Sequence, residues 1–240
     1  MSTSVQSNPA KNLAAQKALE DAVKRDLELT AYPVREWVIS RESSKGQKIF
    51  DVIIIGGGQG GIATAFHLMR EKVNNILVVD ENEEGKEGPW MTFARMHTLR
   101  TPKHVTGPDL GIPNLTVRNW YETVYGKKTW DDLTLIPKNH WAEYLQWLRN
   151  LLEIPIKNSH RAGAIEWNET ENCLSVPLIN QVTGQTEIAL ARKVVLSTGM
   201  DGSGRWDVPK MISDNLNKSS YAHTRDNIDF YKLKGKTIAV

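Results

Sequence analysis

The sequence predicts an α/β fold in which a buried parallel sheet carries a small antiparallel β-meander and is preceded by a helical arm. Three observations point to it. Asp51 to Gly61 joins a β-branched run to a glycine-rich turn that opens a helix. Asn75 to Asp80 is a second apolar run, and it ends in a carboxylate. Ala162 to Ala191 holds three short apolar segments separated by polar turns, ahead of another apolar run at Lys193 to Gly199.

A chain of 240 residues can bury a sizeable core. The formal net charge is +2, with Lys and Arg dispersed along the chain, which gives no basis for a nucleic-acid or anionic-membrane surface. One cysteine, Cys173, excludes an internal disulfide and a cysteine metal cluster, and its strand-like neighbours make it a small core hydrophobe. Met1 to Ala10 is polar and no later run is long enough to span a bilayer, so cytoplasmic residence is the expectation. His97, His140 and His160 share no metal-ligand spacing and read as structural; no metal site is expected.

Taken in order, residues 1–8 are rich in Ser, Asn and Gln and are expected to be disordered. Pro9 suits a first helical turn, and Ala10 to Leu29 places Leu19, Val23 and Leu27 at helical intervals, giving an amphipathic arm that packs either on the main domain or on a partner subunit. Ser40 to Lys48 reads as a polar linker. Beyond Asp80, Glu81 to Pro137 shows no clean period yet contains Trp90, Trp120, Trp130 and five prolines, which predicts an ordered irregular segment. Trp141, Tyr144, Leu145, Leu148 and Leu152 mark one face of a helix with Asn139 as its N-cap, followed by a short strand at Ile154 to Ile156. Ala162–Trp167, Cys173–Ile179 and Thr186–Ala191 form the meander. Gly235 to Val240 has the pattern of a new strand.

The glycine turn carries the chemistry. Gly56, Gly58 and Gly61 fall on a G-x-G-x-x-G spacing, with Gln59 and Gly60 completing the turn. The first glycine permits the tight turn, the second lets the backbone approach a pyrophosphate, and the third lets the helix pack hard against the strand. The helix from Gly60 to Arg70 aims its N-terminal amides and positive dipole end at the phosphates. Asp80 lies roughly 20 residues past the turn, where an acid accepts hydrogen bonds from ribose hydroxyls; Glu81 is the neighbour that could take that role. In a plain nicotinamide dehydrogenase, strands and helices keep alternating after the second strand. Here the alternation breaks into a long aromatic segment, one helix, a strand and a meander.

With these segments in view, residues 50–240 resemble the N-terminal part of a flavin-containing monooxygenase, within the two-dinucleotide flavoprotein group. The glycine turn with Asp80 carries the resemblance, as does Gly88-Pro89-Trp90, which is similar to the Gly-Gly-x-Trp lying along the flavin in those enzymes. Val194 to Gly199 resembles the hydrophobic-Ala-Thr-Gly signature near the pyrophosphate, and Lys234 to Val240 resembles the strand that opens a second, NADPH-binding turn. There are departures. Gly88-Pro89 stands for Gly-Gly and Ser197 for Ala. Arg100 falls where flavin-containing monooxygenases have an Asn over the flavin. Of the Baeyer-Villiger fingerprint only His223 aligns, with Asn217 and Ser219 where Phe and Gly belong.

The resemblance implies an FAD-dependent oxidoreductase in which NADPH reduces FAD and a peroxyflavin oxygenates a small organic substrate. It implies FAD contacts at Trp90, Thr198 and Gly199, and a role for Arg100 beside the flavin or a phosphate. No catalytic residue is assigned. Residues 1–48 are then an arm and linker, and residues 49–240 an FAD-binding domain that stops at the start of an expected NADPH-binding domain, to be completed by a missing C-terminal half or a partner chain. Two other readings stay open at this point: an NAD-dependent dehydrogenase, and a non-catalytic flavin-binding or assembly subunit.

Overall fold

The computed structural model describes residues 9–105, 107–200, 202, 204 and 206–239, with the backbone alone described over 9–13. The disorder expected of residues 1–8 and the end of the expected strand at Val240 lie outside the described residues. One mixed sheet organises the chain. Its strands are β1 (Arg41–Glu42), β2 (Lys48–Ile55), β3 (Ile76–Val79), β4 (Ile156–Lys157), β5 (His160–Ala162), β6 (Glu166–Asn168), β7 (Cys173–Asn180) and β8 (Thr186–Leu196). The spatial order is β4-β3-β2-β8-β7-β5, with β1 on β2 and β6 on β7. The first four strands of that order are parallel and the ribbons beyond β8 are antiparallel.

The β-branched run explains the centre of this sheet. Successive side chains alternate between faces. Val52 and Ile54 join Val78 in the larger core, while Ile53 joins Val79, Val176, Leu178, Ala189 and Ala191 in the second. The larger core is closed by α2 (Gln59–Arg70), α3 (Val117–Tyr125) and α5 (Lys138–Leu151), the smaller by the curling ribbons β5 and β7. Strand β8 is longer than expected: its first half pairs antiparallel with β7, and from Leu190 onward it runs parallel to β2, so the last meander strand and the Lys193 run are one element. The polar Arg192-Lys193 step hides this continuity in the sequence; Arg192 is satisfied at the strand by Asp51, at 2.9 Å. Cys173 is buried in β7, where burial pushes its thiol above the ordinary value.

Several expectations change. The Ser40–Lys48 linker is a hairpin, closed by Ser43 N–H donating to the Gln47 carbonyl at 2.8 Å and placing β1 on the edge of β2. Residues 81–137 are not wholly irregular: they hold α3 and α4 (Lys127–Asp132). The N-cap of α5 is Pro137 rather than Asn139, because the Trp141 amide donates to the Pro137 carbonyl and starts the helix earlier. The Ala162–Trp167 strand is split into β5 and β6, and the strand expected at Ile154 starts at Ile156. Residues 236–239 form no strand, having no neighbour among the described residues to share a ladder with.

The arm α1 (Pro9–Leu29) packs on the domain itself, against α3. Leu19 and Val23 are buried in the larger core, Asp26 accepts from the Asn114 side-chain amide at 2.8 Å, and Arg70 donates to the Thr30 carbonyl at 2.7 Å. Truncating Val23 to Ala should therefore cost about 2 kcal/mol, the scale of a buried aliphatic truncation. Urea unfolding measures it, and an unchanged midpoint would mean the arm is not docked.

Candidate cofactor-binding cleft

A cleft of about 890 Å³ opens at the C-terminal ends of β2, β3 and β8. Ligands of open parallel sheets bind at this edge, and the volume falls at the upper end of roughly 300–1,000 Å³ for small-molecule and cofactor sites. Four groups of residues line it. The glycine turn gives Gly56, Gly58, Gln59 and Gly60; the end of β3 gives Asp80, Glu81 and Asn82; the following loop gives Gly88 to Trp90, Thr92, Phe93 and Arg95. The rest of the lining is His160 to Ala162, Ser197 to Met200, Gly202, Arg225 and Asn227.

The turn is built by contacts that exclude side chains. Gly56 has φ of +105°, and a Cβ there would sit 2.4 Å from the Ser197 carbonyl oxygen. A Cβ on Gly61 would sit 1.8 Å from the Gly56 carbonyl oxygen, so only hydrogen permits α2 to start this close to β2. Gly58 is the N-cap of α2 and lies against the backbone of Gly88, the residue that opens the Gly88-Pro89-Trp90 segment. The amides of the first turn of α2 have no intrahelical acceptor and, with the helix dipole, favour an anion there.

Asp80 is buried and tied to this turn and to Asn82. Its Oδ2 accepts from the Gly57 amide at 2.7 Å, and its Oδ1 accepts from the Asn82 amide at 2.8 Å and the Asn82 side chain at 3.1 Å. Carboxylate oxygens each accept more than one hydrogen bond, so the acid can still take a hydroxyl from the cleft side. Glu81 is exposed at the rim. Trp90 lines the cleft, meets Trp141 edge-on with centroids 6.3 Å apart, and buries its Nε1 without a partner among the described residues. Thr198 and Gly199 line the cleft beside the turn, with Gly199 at φ +62°.

Arg100 does not line the cleft; it is exposed. The arginines at the cleft are Arg95, Arg161 and Arg225. Arg95 donates to the Thr224 and Asp226 carbonyls at 3.3 and 2.6 Å, drawing the segment around Arg225 to the mouth of the cleft. No local pattern could have selected Arg95 over Arg100, because the choice is made by contacts about 130 residues away along the chain. His160, read from sequence as structural, forms part of the wall: its Nδ1 lies 2.7 Å from the Asn158 carbonyl and its Nε2 3.4 Å from the Asn180 amide, which together favour the Nδ1–H tautomer. His140 stacks on Tyr125 away from the cleft, and burial holds its pKa below the ordinary histidine value. His97 and His104 are exposed, and Lys103 donates to the Trp130 carbonyl. Among the described residues no three His, Cys, Asp or Glu side chains gather as a metal site, and no helix is long and apolar enough to cross a membrane.

Parallel strands with a glycine turn, an acid at the end of the next strand and a cleft between them define a dinucleotide-binding domain. The chain belongs to the FAD-NAD(P)-binding family, whose model matches residues 53–201. It is 42% identical over 222 residues to the FAD-dependent urate hydroxylase of Xanthomonas campestris pv. campestris, a match covering 92% of this chain and 46% of the relative. The chain thus spans about half the length of that relative. Two solved structures share the fold. The FAD-bound cadaverine monooxygenase DfoA of Erwinia amylovora superposes with a TM-score of 0.51 at 19% identity, over 64% of this chain and 36% of that one. The ornithine hydroxylase PvdA of Pseudomonas aeruginosa gives a TM-score of 0.51 at 15% identity, over 62% and 38%.

Proposed function

We propose that residues 49–240 are the FAD-binding domain of an NAD(P)H-dependent flavin monooxygenase that hydroxylates a small heteroaromatic substrate, with urate the first compound to test. The observation that carries the reading is the glycine turn bonded to Asp80 at the head of a cleft of dinucleotide size. The extent of the match to a urate hydroxylase supports the substrate class. FAD, when bound, supplies the redox chemistry, accepting a hydride from a nicotinamide cofactor and delivering electrons to dioxygen.

The chain's own residues bind and orient. In this reading the amides of Gln59, Gly60 and Gly61 take the pyrophosphate at the N-terminus of α2. Asp80 accepts a ribose hydroxyl, with Glu81 at the rim beside it. Thr198 and Gly199 close the phosphate region beside the turn, at the end of β8. Trp90 offers an aromatic face at the isoalloxazine end and helps keep water out. Arg95 takes over the role sequence resemblance gave to Arg100, placing a permanent cation near the flavin end. A dehydrogenase using NAD alone lacks support from the sheet, since the chain turns to antiparallel ribbons where such a fold continues its strand and helix alternation.

The direct test is titration of the purified chain with FAD, followed by quenching of flavin and tryptophan fluorescence. Saturable binding at micromolar FAD or below is expected, with NADH alone giving no comparable signal. A colourless protein that cannot be reconstituted with FAD would defeat the proposal. Urate-stimulated NAD(P)H oxidation and oxygen uptake, measured on the polypeptide that contains this domain, tests the substrate class.

A further inference from the structure

We infer that Arg149 is a positioning residue for the cofactor cleft, acting on Asp80 and on the Gly88–Trp90 segment from behind the glycine turn. The inference rests on the assignment of the cleft to FAD. Arg149 sits in the last turn of α5 and is not among the residues lining the cleft. Its side chain and that of Glu87 are only 9% and 8% exposed, yet both are charged and paired with each other. A buried ion pair is weak evidence for stability, because the desolvation of two charges offsets much of their attraction. What it does provide is fixed geometry, and the partners of this pair show where that geometry is used.

The guanidinium divides its fork. One nitrogen donates to Glu87 Oε1 and the other to Asn158 Oδ1 at 2.8 Å. The Asn158 amide donates back to Glu87 at 2.7 Å and to the Asn82 carbonyl at 3.2 Å. Asn82 in turn donates twice to Asp80 Oδ1, and Asp80 Oδ2 receives the Gly57 amide. An unbroken series of polar contacts therefore runs from α5 to the acid at the head of the cleft. On the other branch, the Glu87 side chain packs on the Gly57 backbone, its Cγ 3.3 Å from where a Cβ would stand, and the next residue, Gly88, lies against Gly58. One arginine thus braces both the acid and the loop that delivers Trp90. Lysine keeps the charge but lacks the planar fork whose two nitrogens meet Glu87 and Asn158 along fixed directions.

The test is a double-mutant cycle on FAD affinity, with urea unfolding of the FAD-free proteins run in parallel. Arg149→Lys should weaken FAD binding about tenfold and alter the visible circular dichroism of the bound flavin. Combined with Asp80→Ala, it should add clearly less than its own tenfold loss, because the branch through the acid is gone and only the branch through Glu87 and the Gly88–Trp90 loop remains. Arg149→Lys that binds FAD within twofold of wild type, or losses that multiply in the double variant, would overturn the inference. A residue that merely stabilises the fold lowers the unfolding midpoint without this non-additivity. If Arg149→Lys does not fold, Asn158→Ala, which breaks the relay without removing a charge, is expected to show the same non-additivity with Asp80→Ala. Wild-type chain that takes up no FAD would overturn the cleft assignment as well, an outcome distinct from either result above.

Discussion

Gly61→Ala is expected to weaken FAD binding by about a hundredfold and to lower the stability of the FAD-free chain by about 1–3 kcal/mol, the usual range for overpacking a tight site. The added methyl would stand 1.8 Å from the Gly56 carbonyl oxygen, where real Cβ contacts do not fall below 3.0 Å. The oxygen belongs to the backbone and a lone methyl has no other rotamer, so no side-chain change relieves the clash, and α2 must withdraw from β2 by about an ångström. That displacement carries the amides of Gln59 and Gly60 away from the phosphates. Losing two charge-assisted hydrogen bonds at about 1.5 kcal/mol each gives ~3 kcal/mol, or about a factor of one hundred in Kd. Gly56→Ala should behave alike, since it meets the Ser197 carbonyl at 2.4 Å and must also hold φ of +105°. Gly60→Ala is the control: its Cβ would make only ordinary contact with Ser197 at 3.9 Å, and alanine in a helix gains up to about 1 kcal/mol over glycine. The FAD-free Gly60→Ala protein should then be at least as stable as wild type. Fluorescence titration and urea unfolding read the three variants; a Gly61→Ala protein with wild-type FAD affinity would remove the turn from the site.

The parts of this fold that could be read from sequence are those whose signal is local. The β-branched run of β2, the acid closing β3 and the apolar face of α5 each sit within a short window, and each occupies the expected place. Helix α3 was legible in principle: Thr116 caps it by accepting from the Asn119 amide, and Val117, Trp120, Tyr121 and Val124 follow helical spacing. The signal is masked by the flanking Pro113 and Gly126 and by the polar residues Arg118, Asn119 and Glu122 between the apolar ones. The cleft divides in the same way. Gly56, Gly58, Gly61 and Asp80 belong to a motif of fixed spacing, whereas Arg95, Arg161 and Arg225 are gathered by tertiary contacts between segments far apart in sequence. Arg149 gave no sequence signal at all, because a lone arginine near the end of an amphipathic helix looks solvated until Glu87 and Asn158 are seen beside it.

Trp120→Ala is expected to destabilise the chain by about 3–5 kcal/mol, the cost of emptying a buried indole site, while leaving the FAD affinity of the folded fraction within a few-fold of wild type. Trp120 is the hub of the aromatic layer, with the rings of Tyr121, Tyr125, Tyr144 and Trp147 all within 6.4 Å. Its neighbours cannot collapse into the gap, because Tyr144 is pinned by its hydroxyl, which donates to the Leu115 carbonyl at 2.7 Å. Tyr144→Phe, which removes that bond and keeps the ring, should cost only about 1–3 kcal/mol, the penalty of a buried acceptor left unsatisfied. The comparison separates two ways in which the helical layer serves the cleft. Trp120 lies outside the lining residues and supports α3 and α5 as a block, so its loss moves the unfolding midpoint. Trp141, on α5, meets Trp90 edge-on, and through that edge and the Arg149 relay the helical layer reaches the cleft wall. A Trp120→Ala protein that stays folded but loses FAD a hundredfold would show instead that the whole aromatic layer, and not these two contacts, sets the shape of the cleft.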